Sequence, residues 1–352
     1  MGKTKKLKIA VAMSGGVDSS VAAKLLTDQG HDVIGIFLHF WKEPGAGEAV
    51  ENKCCSTEAL LDARRVANQI GIPLYTLNFS KIFKREVVDN FLDQYRSGRT
   101  PNPCVICNKR VKLGYLLKQA KKLGYDYVAS GHYAINKDGR LFKAKDKNKD
   151  QSYFLYTFSR AEFKHLLFPL GNYIKPQVRA LARKFKLPVA EKGDSQEICF
   201  IPEKNHNEFL KRHLKLKPGP IKTFDEKVIG RHHGLPLYTI GQRKGVEIGG
   251  TGPYYAAKLD YKKNTLCVVS DGQDKRLYGD ELTAKNASWI NQPKAKCQAV
   301  IRYRHKPVGC TLKKINKTKY LVKFKKPQRA ITPGQSVVFY DGREVLGGGI
   351  IS

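Results

Sequence analysis

Acidic residues are scarce. The 352-residue chain has 31 Asp plus Glu against 64 Lys plus Arg, a formal net charge of +33. The excess runs along the whole length instead of sitting in a tail, which is the electrostatic footprint of a protein that meets a polyanion, most plausibly nucleic acid. Long apolar runs are missing too: no stretch reaches the roughly 18 residues that a membrane span needs, so the chain reads as soluble and cytoplasmic. The opening MGKTKKLKIAVAM has no small-residue cleavage site, and Lys6 stands where a myristoylation signal requires Ser or Thr. Cysteine is sparse and unevenly spaced, eight in all, which excludes a secreted disulfide framework and fits a reducing compartment. No internal repeat occurs at solenoid periods. What is present is a globular composition, 41% hydrophobic, over a length suited to two or three domains.

The first half alternates short β-rich runs with helical patterns, the signature of a parallel sheet with helices on both faces. LKIAVAM, DVIGIFLHF, PLYTLNF and YDYVASG read as strands. SSVAAKLLTDQG, STEALLDARRVANQIG, KIFKREVVDNFLDQYRSG and NKRVKLGYLLKQAKKLG read as the helices between them. Asp138-Gly139 marks a hairpin turn, and RAEFKHLLF and PQVRALARKF read as two further helices. After about Asn205 helical periodicity disappears among Gly, Pro, Tyr and His. From about Thr283, turn signals every roughly eight to twelve residues predict a small β-barrel or sandwich. The expected plan is α/β: a parallel-sheet domain over 1–205, a small middle domain over 206–282 and a β-barrel over 283–352.

IAVAMSGGVDSSVAAKLL is a strand, a Ser-Gly-Gly turn and a helix in immediate succession. Backbone amides around Gly15 and Gly16, together with the positive end of the helix, form a nest for a phosphate. The Gly-Lys-Ser/Thr of a Walker loop does not follow. Asp18 stands at the helix start instead, placed to orient magnesium on a pyrophosphate, while Ser14, Ser19 and Ser20 supply hydroxyls. Leu38, at the end of the second strand, is a candidate to pack on a base, and Gly131 in ASGHYA to admit a close backbone approach.

TPNPCVICNK carries Cys104 and Cys107 at a C-x-x-C spacing, and Cys199 lies far downstream in KGDSQEICFIP. Three readings are open. A structural zinc site needs four ligands, usually two close pairs, and Cys54-Cys55, His132 and His206 do not supply a second pair of that kind. A thioredoxin-like pair starts a helix directly after a strand and needs no phosphate loop elsewhere. In the third reading Cys107 sits near the N-terminus of the helix NKRVKLGYLL among Lys109, Arg110 and Lys112, which favours thiolate, and Cys199 is a thiol that an outside donor loads with sulfur. Cys267, Cys297 and Cys310 fall in β-runs and read as small core hydrophobes.

The string SGGVDSS between strand and helix resembles the pyrophosphate loop of the N-type ATP pyrophosphatases, which cleave ATP to AMP and pyrophosphate while adenylating a substrate oxygen. With TPNPCVICNK, SGHYA, KDQSYFLY, GDSQEICFIP, YTIGQRKG, RYRH, TPGQSVVFYDG and LGGGII in order behind it, essentially the whole chain resembles the tRNA-specific 2-thiouridylases. The resemblance implies an adenine-nucleotide α hydrolase-like domain that binds ATP through Ala12, Met13, Ser14, Gly15, Gly16, Val17, Asp18, Ser19, Leu38 and Gly131, with magnesium. It implies Cys107 as nucleophile and Cys199 as persulfide carrier, the two forming a transient disulfide. Asn102, Pro103 and Cys104 would approach the target uracil; His132, Lys149, Asp150, Gln151, Arg302, Tyr303 and Gln335 would contact tRNA. The implied partners are the tRNAs for Lys, Glu and Gln and a cysteine desulfurase or sulfur-relay protein, the enzyme itself acting as a monomer. Two positions depart from the family's usual pattern: Cys104 stands where many members have Asp, a candidate general base, and Leu38 where some have Met. Two other functions are compatible with the residues alone: a pyrophosphatase-type enzyme adenylating a carboxylate, and a zinc-stabilised RNA-binding module.

Overall fold

The computed structural model describes residues 6–43, 56–193, 198–201, 206–246, 248 and 253–352; Cys54 and Cys55 lie outside them. A strand covered on both faces needs a continuous apolar run. Strand β1 (Lys8–Met13) has one, with Ile9, Ala10 and Val11 fully buried. It leads through the Ser-Gly-Gly turn into α1 (Val17–Asp28), then β2 (Asp32–His39), α2 (Thr57–Ile70) and β3 (Leu74–Asn78). Helix α2 shows why local sequence is readable: Ser56 accepts a hydrogen bond from the Ala59 amide at its start, and Gly71, at φ +73°, ends it in the left-handed region.

A long helical run follows, made of α3 (Ser80–Phe83), a π-helical turn (Lys84–Asp89) and α4 (Asn90–Arg96). A second run comprises α5 (Pro103–Cys107), another π turn (Asn108–Lys112) and α6 (Gly114–Lys122), and β4 (Tyr127–Ser130) comes next. After the hairpin β5 (Ala134–Lys137) and β6 (Arg140–Lys143) come α7 (Arg160–Phe163), β7 (Leu166–Leu167), α8 (Lys175–Lys184) and α9 (His206–His213). The parallel sheet runs β3-β2-β1-β4-β7. Its strand order reverses between β1 and β4, and the crevice at such a reversal is where open α/β sheets bind ligands. The Ser14 loop leaves β1 there, and Gly131 follows β4.

The middle segment forms a four-stranded sheet from β8 (Gly219–Lys222), β9 (Val228–His232), β10 (Tyr255–Asp260) and β11 (Thr265–Val269). The C-terminal strands are β12 (Tyr278–Trp289), β13 (Lys296–Val300), β14 (Val308–Asn316), β15 (Lys319–Arg329), β16 (Ser336–Asp341) and β17 (Glu344–Ile351). They pair in the order β12-β15-β14-β13-β16-β17, and β17 returns to β12, which closes an antiparallel barrel. The hairpin of the first domain is sewn onto this sheet, Val345 of β17 pairing with Leu141 of β6 and Arg140 holding Glu344 through Nε at 2.9 Å.

Several expectations need correcting. RAEFKHLLF is only half helix: Leu166 and Leu167 leave α7 to extend the parallel sheet beside β4. Helical structure does not cease at Asn205, because α9 buries Phe209 and Leu210 just beyond it. RYRH is no strand continuation; β13 stops at Val300, and Arg304 takes a left-handed φ of +67° in the turn that follows. Strand β12 begins at Tyr278, so it runs across the expected boundary at 282.

Candidate active site

Gly15 sits at φ +68°, and a Cβ there would lie 2.1 Å from the Ala59 carbonyl oxygen, so α2 packs directly on the turn and only glycine is tolerated. The serines knit the loop. Ser19 Oγ accepts from the Ser14 amide at 3.2 Å and donates to the Gly16 carbonyl at 3.1 Å; Ser20 Oγ, fully buried, donates to the same carbonyl at 2.9 Å. Ser20 is thereby a brace for the turn. Gly131 admits a close approach as expected, but what approaches is α1: a Cβ would meet Asp18 C and Ser19 N at 2.7 Å.

These elements enclose a cleft of about 160 Å³ lined by Ala12, Met13, Ser14, Asp18, Ser19, Leu38, Phe40, Lys112, Ser130, Gly131, His132 and Gln151. Gly15, Gly16 and Val17, expected to bind ATP, are not among the lining residues; they form the turn between Ser14 and Asp18, which are. A larger cleft of about 470 Å³ lies between α4, α9 and the middle sheet, lined in part by Arg96, His213, Lys215 and Tyr261, and holds none of the expected site residues. Chemistry, and not size, picks out the smaller one.

Asp18 accepts two hydrogen bonds at Oδ1, from Tyr133 Oη at 2.9 Å and Lys175 Nζ at 2.7 Å. Lys175 is the first residue of α8, and its side chain is only 11% exposed. Neither Tyr133 nor Lys175 is expected from sequence; for Lys175 the faint signal is its place just before Pro176 at a helix start. One carboxylate beside serine hydroxyls suits a magnesium ion that arrives on nucleotide phosphates and keeps most of its ligands from them. Among the described residues no three His, Cys, Asp or Glu side chains come together to hold a metal.

Cys107 is not at a helix N-terminus. The run starts four residues earlier, with Pro103 at the first helical position, where its missing amide hydrogen costs nothing. Cys104 is therefore the thiol in the first turn, and Cys107 is buried one turn further on. Cys199 is half-buried, as is Cys104. The basic cluster also divides. Lys109 Nζ bonds Glu162 at 2.6 Å, Arg110 bonds Glu86 at 2.6 Å, and only Lys112 lines the cleft.

The run from Ser80 to Arg96 links the two sulfur segments. Helix α5 packs on its π turn. Phe200, next to Cys199, meets Phe83 and Phe91 edge-on with centroids 5.8 and 5.3 Å away. The segments around Cys107 and Cys199 are thus seated on one helical support.

The residues expected to meet tRNA fall into four groups. His132 and Gln151 line the cleft itself. Burial, helped by the charge of Lys112, pushes the His132 imidazole down to about 3, so it is neutral near pH 7, with Nδ1 2.8 Å from Ser130 Oγ. Asp150 braces its own loop, accepting from the Ala144 amide at 2.9 Å and Ser152 Oγ at 2.9 Å, and Lys149 adjoins it. Arg302 donates to Thr332 Oγ1 at 3.3 Å, and Tyr303 packs on Phe154 with ring centroids 4.5 Å apart. Gln335 faces inward: its Nε2 donates to the carbonyls of Thr100 and Pro101 at 3.0 and 3.1 Å. The Thr100 amide bonds the Pro333 carbonyl at 2.9 Å, and Thr100 Oγ1 lies 3.3 Å from Thr239 Oγ1 of the middle domain. Asn102 reaches the Tyr153 hydroxyl. The stretch before Cys104 is held by all three parts of the molecule.

Comparison with known proteins gives three successive family matches: one described as tRNA methyl transferase HUP domain over residues 7–203, one as tRNA methyl transferase PRC-barrel domain over 207–270, and one as aminomethyltransferase beta-barrel domain over 279–351. The chain is 46% identical to tRNA-specific 2-thiouridylase MnmA 1 of Caldanaerobacter subterraneus subsp. tengcongensis, over 98% of this chain and 97% of that one. Identity is again 46%, with the same coverage, to the tRNA-specific 2-thiouridylase MnmA of Carboxydothermus hydrogenoformans. It is 45% to that of Halothermothrix orenii, over 98% of both chains.

Proposed function

The chain belongs to the family of tRNA-specific 2-thiouridylases, and on that premise we propose that it converts uridine to 2-thiouridine at the wobble position of tRNA in an ATP-dependent reaction. The carrying observation is that two separate thiol segments share one helical support, and the Cys107 helix reaches through Lys112 into the cleft that Ser14, Asp18 and Ser19 of the Ser-Gly-Gly turn also line. Two of the domain descriptions speak of methyl transfer. Two thiol segments on one helical support, one of them running on into the cleft through Lys112, suit sulfur transfer instead.

The C2 carbonyl of uracil is urea-like and does not release oxide to a sulfur nucleophile. Adenylation of O2 breaks the bond between the α- and β-phosphates and makes that oxygen leave as part of AMP. The amides of the Gly15 turn and the start of α1 hold the departing pyrophosphate. Magnesium, bound with ATP, supplies charge neutralisation. Asp18 is the carboxylate placed to orient it, its rotamer fixed by Tyr133 and Lys175. Leu38 and Phe40 give the cleft an apolar wall for the base.

Sulfur arrives as a persulfide on Cys199. Its terminal sulfur attacks C2 and Cys107 then displaces it from Cys199, or Cys107 first attacks the persulfide and frees sulfide as the nucleophile. Both routes leave a Cys107–Cys199 disulfide that a two-electron reductant reopens before the next cycle. The substrates carried over with the family are the tRNAs for Lys, Glu and Gln, and the donor is a cysteine desulfurase or relay protein. The wobble base is unstacked from a single-stranded loop to reach the cleft.

The test is mass analysis of nucleosides from tRNA incubated with the protein, ATP, magnesium and a persulfide donor. 2-Thiouridine is expected, and Cys199→Ser should abolish it. Its absence with the wild-type chain refutes the proposal, and undiminished product with Cys199→Ser favours an enzyme that adenylates a carboxylate.

A further inference from the structure

Lys112 is five residues beyond Cys107. In an α-helix five residues turn the chain by about 500°, which leaves two side chains about 140° apart on nearly opposite faces. The backbone from Asn108 to Lys112 is a π turn instead, and the Leu113 amide bonds the Asn108 carbonyl five residues back at 3.1 Å. At roughly 4.4 residues per turn, five residues advance by about 410°, so the two side chains fall about 50° apart on one face. Gly114 makes this possible: a Cβ there would lie 1.9 Å from the Lys109 carbonyl oxygen. The π turn thus has a definite effect. By that count Lys112 turns toward the side of the run that carries Cys107, and it is Lys112 that lines the cleft, while Lys109 and Arg110 are turned toward Glu162 and Glu86.

Lys112 lines the same cleft as Ser14, Asp18 and Ser19 of the turn, and its charge reaches His132. The turn and the start of α1 suit the pyrophosphate end of ATP. The phosphate between that end and the thiol helix is the α-phosphate, because it becomes bonded to the uracil oxygen while C2 must face sulfur. The geometry points to Lys112 as a further catalytic residue whose ammonium binds the α-phosphoryl group of ATP and of the adenylated uridine. This rests on the O2-adenylation reading above. When sulfur forms its bond to C2, the C2–O2 bond breaks and its electron pair stays on the oxygen that leaves with AMP. Lys112 meets that added charge without giving up a proton.

Equilibrium binding of AMP and of adenosine to the full-length wild type, Lys112→Met and Lys112→Arg tests this without turnover. The wild type is expected to bind AMP more tightly than adenosine. Lys112→Met should weaken AMP at least tenfold while adenosine stays within about twofold, which also shows that the cleft is intact, and Lys112→Arg should recover most of the AMP affinity. In single-turnover assays with tRNA, Lys112→Met should slow 2-thiouridine formation. Unchanged AMP affinity in Lys112→Met overturns the inference while leaving the function standing. So does an equal loss for both ligands in both variants, which would make Lys112 a packing residue. A wild type that binds neither AMP nor ATP overturns the nucleotide reading as well.

Discussion

Gln335→Ala separates a contact to RNA from a clamp on the active-site loop. Gln335 lies in the barrel, yet its Nε2 donates to two carbonyls, Thr100 and Pro101, immediately before the segment with Asn102, Pro103 and Cys104. Truncation removes both bonds at a net cost of about 0.5–1.5 kcal/mol each, so the held loop loses about 1–3 kcal/mol. At about 1.4 kcal/mol per factor of ten, that is a roughly 5- to 150-fold fall in the population of the competent loop. The thiolation rate at saturating tRNA should fall within that range, with tRNA Kd within about twofold of wild type at each salt concentration and ATP affinity unchanged. Gln335→Glu should be worse, because a carboxylate would then face two carbonyl oxygens with no donor. The opposite pattern, a Kd raised more than tenfold and a normal rate at saturation, would refute the clamp and restore Gln335 as an RNA contact.

His132 gives a pH signature. Its imidazole is held at about 3 in the folded chain against an ordinary 6.5, so the unfolded chain binds more protons between these values. The associated stability is complete above about pH 6.5 and is lost as pH falls toward 3, on the order of 5 kcal/mol in all. The urea-stability gap between wild type and His132→Gln should therefore shrink from pH 7 to pH 4, and a pH-independent gap would count against it. Lys175→Met removes the ammonium from Asp18 and should lower stability by about 1.5–3 kcal/mol in denaturant titrations, the range for hydrogen bonds to charged groups; a loss below 0.5 would show the pair to be solvated. Cys104→Asp places a carboxylate in the first turn of the helix run and should raise stability by about 0.3–1 kcal/mol whatever it does to the chemistry. Activity in Cys104→Asp but not Cys104→Ala identifies a proton-handling position, and activity in both identifies pocket lining.

What was legible in the sequence was local. Buried strands announce themselves as unbroken apolar runs, as in β1, and α2 is bounded by its own Ser56 cap and Gly71 stop. The Ser-Gly-Gly turn was readable because a left-handed glycine between strand and helix has few other uses. What was missed depends on contacts across the chain. The sheet membership of Leu166 and Leu167 is set by β4, nearly forty residues earlier, and overrides a helical pattern. The Asp18 pairing with Tyr133 and Lys175 joins three distant elements. The early start of the Cys107 helix was present in Pro103, a residue that favours the first helical position, but the helical pattern was read only from Asn108 onward. No periodicity rule assigns Lys112 to the cleft, since the π turn breaks the 3.6-residue count on which such rules depend.

The hairpin of β5 and β6 sets a schedule for the newborn chain. Arg140 and its partner Glu344 are separated by 204 positions. At about 5–20 residues per second, translation leaves the outer edge of β6 waiting roughly 10–40 s for the last strand to appear. During that interval the α/β unit has its own sheet but an unmatched strand edge, which is the kind of surface that recruits the wrong neighbour. Completion of the barrel therefore also ends a period of vulnerability in the domain made first. A chain stopped short of β17 would leave that domain with an adhesive edge, and not as a free-standing catalytic unit.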